Sequence, residues 1–338
     1  MRILVTGGAG YIGSVVAAEL VKNNYQVAIV DNLRQGHRKA IPAEAEFVPA
    51  DICDAPELEK IFQGREIDAV MHLAAESAVA YSMLDPGRFF ETNVIGGIKL
   101  LDTMLKYCVH DIIFSSSAAV YGEPETVPIG EEHPKVPLNS YGESKLMFEH
   151  ILKWYGQAYD IKHVSLRYFN AAGAAGPLGE DHRPESHLIP NVLKAALDNN
   201  GRPVTLFGTD YPTKDGSCVR DYVHVSDIAR AHILALKKLD TLSGRAYNLG
   251  NGGGYSVIEV IEAARRVTGT PIPVNTSPRR PGDPAVLIAS SKLAKTELGW
   301  QPQITRLEDI LASSWEWMQD HPAGYEDMEP PPKCHSGA

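Results

Sequence analysis

The chain has 338 residues with 32 basic and 42 acidic side chains, a formal net charge of −10, and this length suffices for one large or two medium domains. A general nucleic-acid binder needs a basic face, so the acidic balance argues against that class. No apolar run reaches the roughly 18 residues of a membrane span, so no membrane partner is expected. The four cysteines are scattered and form no Cys-x-x-Cys pair. We therefore expect free thiols, a cytoplasmic location and no zinc or other metal site.

Apolar runs and helical periodicity alternate through the first half of the chain. Strands are predicted at residues 2–6, 26–31, 45–48, 68–73, 110–115 and 162–168, and helices at 11–23, 56–63, 87–107 and 143–159. The strands are apolar on both faces, as the strands of a covered parallel sheet must be. This alternation is typical of an α/β protein with a Rossmann-type, doubly wound parallel sheet.

The sequence changes character after Asn170, where loop-like segments and shorter mixed elements follow. We predict a first, nucleotide-binding domain over residues 1–170 and a second, smaller α/β substrate domain over 171–325, with a cleft between them. Part of 219–250 is expected to pack back on the first sheet. Residues 326–338 have no core-forming pattern and are expected to be a C-terminal appendage.

The first predicted strand leads into Gly7-Gly-Ala-Gly10-Tyr-Ile-Gly13, and a predicted helix follows at once. Glycine lets the backbone approach a diphosphate, and the positive end of the new helix points at the anion. Asp31 ends the next apolar run, where a carboxylate accepts hydrogen bonds from a ribose 2′-hydroxyl and repels a 2′-phosphate. The segment therefore predicts an NAD site in preference to NADP, and the nearby Arg34 weakens that preference slightly.

Tyr141 and Lys145 are four residues apart on a predicted helix, and Ser117 ends a serine run upstream of them. Residues at this spacing share one helix face, so the lysine can lie close to the phenol. A nearby cation favours phenolate and lowers the tyrosine pKa. This trio predicts a proton-transfer site for a sugar hydroxyl, with Ser117, Tyr141 and Lys145 as catalytic residues.

Several further motifs occur in a fixed order. They are Gly7–Gly13, Asp31-Asn32, Asp51-Ile52, His72-Leu-Ala-Ala75, Thr92-Asn93-Val94, Ser115-Ser-Ser117, Tyr141-x-x-x-Lys145 and Arg167-Tyr-Phe-Asn170. Together they resemble the extended short-chain dehydrogenase/reductase family. Residues 207–216, 219–225, 247–250 and 278–283 are similar to segments of its members that epimerise UDP-hexoses, and the resemblance covers about residues 1–325.

The resemblance implies reversible epimerisation of UDP-galactose and UDP-glucose at C4, through a 4-keto sugar, with tightly bound NAD. It implies that Ser117 binds the sugar 4-hydroxyl, that Tyr141 removes and returns the proton, and that Lys145 binds the nicotinamide ribose. It also implies a homodimer joined through the 87–107 and 143–159 helices, whose apolar faces could equally be core.

The resemblance also implies two sets of binding residues. The NAD site would comprise Gly7, Gly10, Tyr11, Ile12, Gly13, Asp31, Asn32, Asp51, Ile52, Leu73, Ala74, Ala75, Ser77, Asn93, Ser115, Tyr141, Lys145, Tyr168 and Phe169. The UDP-sugar site would comprise Ser117, Tyr141, Asn170, His187, Leu188, Phe207, Arg220, Arg280, Asp283 and Leu287. The arginines also suit a diphosphate as forked, permanent cations, although each could instead form an ion pair.

Three positions depart from the family pattern. Ser77 stands where some relatives have a lysine near the cofactor phosphates. His187 replaces a common asparagine and is either a ligand residue or a helix-end histidine. Leu287 falls where the family places a size gate for the sugar 2-substituent, and leucine is intermediate, so UDP-GlcNAc and UDP-GalNAc remain candidate substrates.

Two alternatives stay open. A sugar-nucleotide 4,6-dehydratase would use the same fold, but relatives of that kind place acids just after the serine motif, where this chain has Ala118 and Ala119. Epimerases for UDP-uronates or UDP-pentoses would use the same catalytic trio.

Overall fold

The computed structural model describes residues 1–198, 203–280 and 282–326. Its strands are β1 Arg2–Thr6, β2 Gln26–Asp31, β3 Glu46–Pro49, β4 Ala69–His72, β5 Asp111–Ser117, β6 Lys162–Tyr168, β7 Asn170–Ala172, β8 Val204–Phe207, β9 Val219–His224, β10 Arg245–Leu249, β11 Gly254–Ser256, β12 Val274–Ser277 and β13 Val286–Leu287. Its helices are α1 Tyr11–Lys22, α2 Ala55–Phe62, α3 Val79–Ser82, α4 Pro86–Phe90, α5 Gly97–Lys106, α6 Ser140–Tyr159, α7 Leu188–Leu197, α8 Val225–Lys237, α9 Leu239–Leu242, α10 Val257–Thr268 and α11 Leu307–Asp320.

Seven strands form a parallel sheet in the order β10-β6-β5-β4-β1-β2-β3. The side chains of the central strand β1 alternate between two cores: Ile3 and Val5 pack into one and Leu4 packs into the other. All three are fully buried. Because the strands are apolar on both faces, helices cover both sides of the sheet. The predicted Rossmann-type α/β fold is confirmed.

The chain returns to this sheet after leaving it. β10 pairs with β6 from Arg245↔Val164 to Leu249↔Tyr168, and α8 packs against α1. Residues 225–249 thus belong spatially with the first 170 residues.

A smaller layer covers the carboxyl edge of the main sheet. β9 pairs with β11, β13 and β7, and β8 pairs with β12, while α7, α10 and α11 pack together beside them. This layer contains most of the predicted substrate segment. Of the predicted appendage at 326–338, all but Glu326 lies outside the described residues.

The predicted helix at 87–107 is present as one helical run from Pro86 to Lys106, but it widens in its middle. α4 and α5 are separated by a wider π-helical turn at Glu91–Gly96. The Asn93 side chain in this turn bonds the backbone of Glu76 and the hydroxyl of Ser144. Gly97 packs against the ring of Phe148, where a methyl group would lie 2.3 Å from the nearest ring carbon. These tertiary contacts outweigh the helical periodicity of the segment.

Within the described residues, no helix has both the length and the apolar character needed to cross a bilayer.

The strand order of the main sheet reverses beside β1, because β2 flanks β1 on one side and β4 flanks it on the other. In doubly wound sheets, ligands bind at the carboxyl ends of the strands beside such a switch point. The fold therefore places the candidate site after β1, β4 and β5.

Candidate active site

A deep cleft of about 1540 Å³ opens at the carboxyl edge of the main sheet. From that sheet it is lined by Gly7, Gly10, Tyr11, Ile12, Gly13, Asp31, Asn32, Asp51, Ile52, Leu73, Ala74, Ala75, Ser77, Ser115, Ser117, Tyr141, Lys145, Tyr168, Phe169 and Asn170. From the smaller layer it is lined by His187, Leu188, Phe207, Arg220, Arg280, Asp283 and Leu287. Every predicted site residue except Asn93 therefore faces one cavity.

Gly7 and Gly13, in the loop between β1 and α1 and at the start of α1, have no room for a side chain. Gly7 has a φ of +71°, and a Cβ there would lie 2.5 Å from the backbone nitrogen of Ala74. A Cβ on Gly13 would lie 2.0 Å from the carbonyl oxygen of Gly7. No side chain caps the N-terminus of α1. The backbone N–H groups of its first turn are therefore available to an anion in the cleft.

The wall at the end of β2 is acidic. Asp31 is 9% exposed, and its carboxylate accepts hydrogen bonds from two backbone N–H groups at 2.8 and 3.0 Å. Arg34 lies 3.7 Å from Asp51 and 3.2 Å from Glu76. Because Arg34 is paired with two carboxylates, it leaves no free cation there for a 2′-phosphate, and this wall favours a free 2′-hydroxyl.

Tyr141 is held beside Ser117 by the start of α6. The Asn139 side chain caps this helix by accepting the Gly142 N–H at 2.8 Å. Gly142 packs against the backbone of Ala119, where a Cβ would lie 2.4 Å from the carbonyl oxygen. This close approach places the Tyr141 phenol beside the Ser117 side chain, which acts to lower the pKa of the phenol. The hydroxyl groups of β5 and α6 therefore meet in the cleft.

Lys145 lies one turn further along α6 and is 3% exposed. Its Nζ donates a 2.9 Å hydrogen bond to the Ser115 carbonyl and lies 5.8 Å from the centre of the Tyr141 ring. Burial lowers the pKa of Lys145 to about 7, and the charge of Glu149 acts in the opposite direction.

The pKa of Tyr141 differs from the sequence-based expectation. In the protein alone, burial raises this pKa, and the hydrogen bond with Ser117 acts against the rise. Lys145 was expected to lower it, but its ammonium is directed at a carbonyl rather than at the phenol oxygen. The phenol is therefore protonated until another positive charge or a realigned Lys145 favours phenolate.

Sequence reasoning missed a buried network behind this face. Glu149 follows Lys145 by four residues and accepts hydrogen bonds from Arg167 at 2.9 and 2.5 Å and from Ser116 at 2.5 Å. Arg167 also donates to the Tyr121 hydroxyl at 2.8 Å. The sequence signal for this network was the four-residue spacing of Tyr141, Lys145 and Glu149, which places all three on one helix face. The network ties α6 to β5 and β6.

The smaller layer supplies the cations of the cleft. Arg220 is 9% exposed and forms an ion pair with Asp283. The guanidinium of Arg280 lies 3.9 Å from the centre of the Phe207 ring. The ion-pair interpretation is thus correct for Arg220, which nonetheless still lines the cavity. Arg280 stacks on an aromatic face, which leaves its forked N–H donors free for a ligand.

The remaining predicted sugar-site residues occupy the ends of elements. Asn170 begins β7, Leu188 begins α7 and Leu287 ends β13. His187 directly precedes α7, and its Nδ1 lies 2.6 Å from Glu180. Burial alone would lower the pKa of His187, but the Glu180 carboxylate outweighs it and raises that pKa to about 9.

Asn93 differs from its predicted role as a direct cofactor contact. It is 2% exposed and does not line the cleft, because its amide is used to hold Glu76 and Ser144. It supports the cleft wall from behind. Ser77 lines the cavity as predicted.

A family model agrees with this arrangement. The model of the NAD dependent epimerase/dehydratase family matches residues 3–250. The chain belongs to this family. Its cofactor is accordingly NAD, as the glycine loop and Asp31 predicted.

Similar proteins extend over nearly the whole chain. A UDP-glucose 4-epimerase of Halalkalibacterium halodurans is 52% identical and covers 96% of this chain and 98% of its own length. A crystal structure of a UDP-glucose 4-epimerase is 47% identical, with a TM-score of 0.93 and coverage of 96% and 100%. The Bifidobacterium longum UDP-glucose 4-epimerase, in complex with NAD⁺ and UDP, is 39% identical, with a TM-score of 0.91 and coverage of 96% and 100%.

The cleft fits the cofactor that this family uses. The first turn of α1 has no side-chain cap, and a Cβ on Gly13 would fill the space of the tight loop before it. These are the features that hold a diphosphate. Asp31 and its acidic neighbours are suited to the adenosine ribose, and Lys145 and Tyr141 line the same cavity.

Proposed function

We propose that this family member reversibly epimerises UDP-galactose and UDP-glucose at C4 of the hexose, through a transient 4-keto sugar. The observation that carries this proposal is the placement of Ser117, Tyr141 and Lys145 together in the cleft that the glycine loop lines. The relatives named as UDP-glucose 4-epimerases support it. The reaction belongs to galactose metabolism.

Tyr141 is the proton carrier in this proposal. It takes the proton of the C4 hydroxyl and returns it after the keto sugar has rotated in the cleft to present its other face. Ser117 binds the hydroxyl, and its own Oγ is oriented by the Ala119 N–H, which donates to it at 3.1 Å. When bound, NAD supplies the hydride acceptor and donor for C4. Lys145, whose Nζ lies 5.8 Å from the centre of the Tyr141 ring, would favour the phenolate once its ammonium turns from the Ser115 carbonyl toward the phenol oxygen.

Arg220 and Arg280 hold the diphosphate. Both line the cleft, and a guanidinium binds phosphate oxygens with two parallel N–H donors. Asp283 orients Arg220 through their ion pair, and Phe207 orients Arg280 through ring contact. These contacts leave the hexose directed toward Ser117 and Tyr141.

A dehydratase is the second candidate, and the turn after Ser117 disfavours it. Ala118 and Ala119 form the start of a short helical turn at Ala118–Val120, and a methyl group cannot protonate a leaving hydroxyl. The purified protein should convert UDP-galactose to UDP-glucose without forming a 4-keto-6-deoxy sugar. Accumulation of that keto sugar would contradict the proposed epimerase activity. Assays with UDP-glucuronate and UDP-xylose test the alternative that the protein is an epimerase for UDP-uronates or UDP-pentoses.

We also propose that UDP-GlcNAc and UDP-GalNAc are substrates. Leu287 is half-buried at the end of β13 and packs beside Phe169 and Ala289. Leucine is smaller than a tyrosine at this position and leaves room for a 2-acetamido group. Absence of any turnover of UDP-GalNAc would remove this part of the proposal.

A homodimer through α6 and the turn before α5 is a further proposal. Met147 and Trp154 lie on one stripe of α6 and are 37% and 65% exposed, and Ile95 nearby is 41% exposed. A contiguous apolar surface of this kind is typical of an interface.

We also propose a cytoplasmic location, which the free thiols of Cys53, Cys108 and Cys218 support.

A further inference from the structure

Four potential metal ligands meet in the loop before α7. Glu180, His182, Glu185 and His187 each contribute one ligand atom, and these atoms all lie within 4.8 Å of one another. We call these four residues the Glu–His cluster. The proposed epimerase reaction assigns nothing to Glu180, His182 or Glu185.

The distances within the Glu–His cluster suit a small cation. His187 Nδ1 and His182 Nδ1 lie 2.6 and 3.2 Å from Glu180 Oε1. Glu185 Oε1 lies 3.6 Å from His187 Nδ1, and Glu185 Oε2 lies 3.8 Å from His182 Nδ1. Ligands at zinc distances of about 2.1 Å in a tetrahedron are about 3.4 Å apart. An ion could therefore enter with only small side-chain movements.

Two atoms of the Glu–His cluster are buried without a well-aligned hydrogen bond, although one of them, His182 Nδ1, lies 3.2 Å from Glu180 Oε1. They are His182 Nδ1 and Glu185 Oε2, which face each other across 3.8 Å, and the Glu185 side chain is only 5% exposed. Buried polar atoms nearly always have a partner, and leaving one without costs stability. A cation between these two atoms would satisfy both.

The chemistry of the donors selects the kind of ion. Once an entering ion has displaced the proton of His187, two carboxylates and two neutral imidazoles neutralise a divalent cation. Imidazole nitrogen with carboxylate oxygen suits zinc and its neighbours, whereas magnesium and calcium prefer oxygen alone.

The loop is held in place and remains accessible. The backbone N–H of Tyr325 donates to the Asp181 carboxylate at 3.1 Å, and Gln35 donates to the Arg183 carbonyl at 3.2 Å. Glu180, His182 and His187 line the cleft. The ligands are therefore preorganised, and an ion can reach them from the cleft.

We propose that the Glu–His cluster binds one divalent transition-metal ion, for which Zn²⁺ is the best match. This inference goes beyond the proposed function, and metal binding can be measured without any turnover of sugar.

The test uses the full chain after treatment with a chelator. Zn²⁺ is titrated by calorimetry, and Co²⁺ is titrated by visible absorption, which is intense for tetrahedral cobalt. We expect one ion per chain, and a melting temperature that rises with free Zn²⁺. His182→Gln and Glu185→Gln should each weaken binding by about tenfold or more. His110→Gln is the matched control, because His110 precedes β5 at the opposite edge of the sheet, and it should bind as the unmodified chain does.

Failure of the unmodified chain to bind Zn²⁺ at one ion per chain would overturn the proposal without any variant. So would equal affinity in folded His182→Gln or Glu185→Gln, or loss of binding in His110→Gln. Far-ultraviolet circular dichroism and NAD content establish that a variant is folded.

Discussion

At the residue scale, the position of Tyr141 depends on a glycine with no space for a methyl group. Gly142→Ala would place its Cβ 2.4 Å from the Ala119 carbonyl oxygen, so α6 must shift away from Ser117. We expect a loss of about 1–3 kcal/mol in the free energy of unfolding and a clear fall in kcat. Chemical denaturation and steady-state kinetics measure the two effects.

The control for that change is Gly130→Ala, because a Cβ at Gly130 meets nothing within 4 Å. It should retain the activity and stability of the unmodified chain. If Gly142→Ala were as active as this control, the close packing of α6 on the turn after Ser117 would not position Tyr141.

Leu287 governs a second residue-scale prediction, which concerns the sugar. Leu287→Tyr should lower kcat/KM for UDP-GalNAc by at least about 10-fold, since the larger ring would occupy the space of the acetamido group. Activity on UDP-galactose should be largely retained. Leu287→Ile keeps the volume and should change neither substrate. Equal losses for both sugars in Leu287→Tyr would contradict a size gate.

At the scale of elements, one carboxylate of α6 contacts two strands of the sheet. Glu149 bonds Ser116 on β5 and Arg167 on β6, so Glu149→Gln leaves a buried guanidinium without its counter-ion. We expect a loss of about 3 kcal/mol of stability and lower kcat, measured by denaturation and kinetics. Glu143→Gln changes an exposed carboxylate of the same helix and should be nearly neutral. A Glu149→Gln variant of full stability would disprove this role.

The sequence predicts an element well where the local apolar pattern determines it, and less well where tertiary contacts do. The main strands agree within two residues, because buried parallel strands are continuous apolar runs. The 87–107 segment is helical as predicted, but its π-helical turn at Glu91–Gly96 could not be predicted, since it is associated with tertiary bonds of Asn93 that leave no local signal.

The same distinction applies to the site. Tyr141, Lys145 and Ser117 were predictable because helix spacing and motif order place them together. The Glu–His cluster was not, because Glu180, His182, Glu185 and His187 lie in a loop without periodicity. Contacts with distant parts of the chain, among them those with Gln35, His37 and Tyr325, hold this loop so that the four ligands converge. The sequence predicted no zinc or other metal site, and the proposed Zn²⁺ titration decides between that prediction and the Glu–His cluster.

At the scale of the whole molecule, the apolar stripe on α6 predicts the assembly. The unmodified chain should be a dimer by light scattering after size exclusion, and Trp154→Glu should shift it to the monomer mass, because a charge would be buried without a partner. Lys153→Glu alters an exposed neighbour that helical rotation places off the stripe and should remain dimeric. A dimer of undiminished stability in Trp154→Glu would exclude this face.

The proposed epimerisation depends on the Tyr141 phenol, which exchanges a proton with the sugar while the cofactor stays bound. Tyr141→Phe removes only that hydroxyl. The most direct test measures, on one preparation, the NAD content per chain and the turnover of UDP-galactose. We predict unchanged NAD content and a turnover lowered by at least about 100-fold. Turnover near that of the unmodified chain, with NAD still bound, would contradict the central claim.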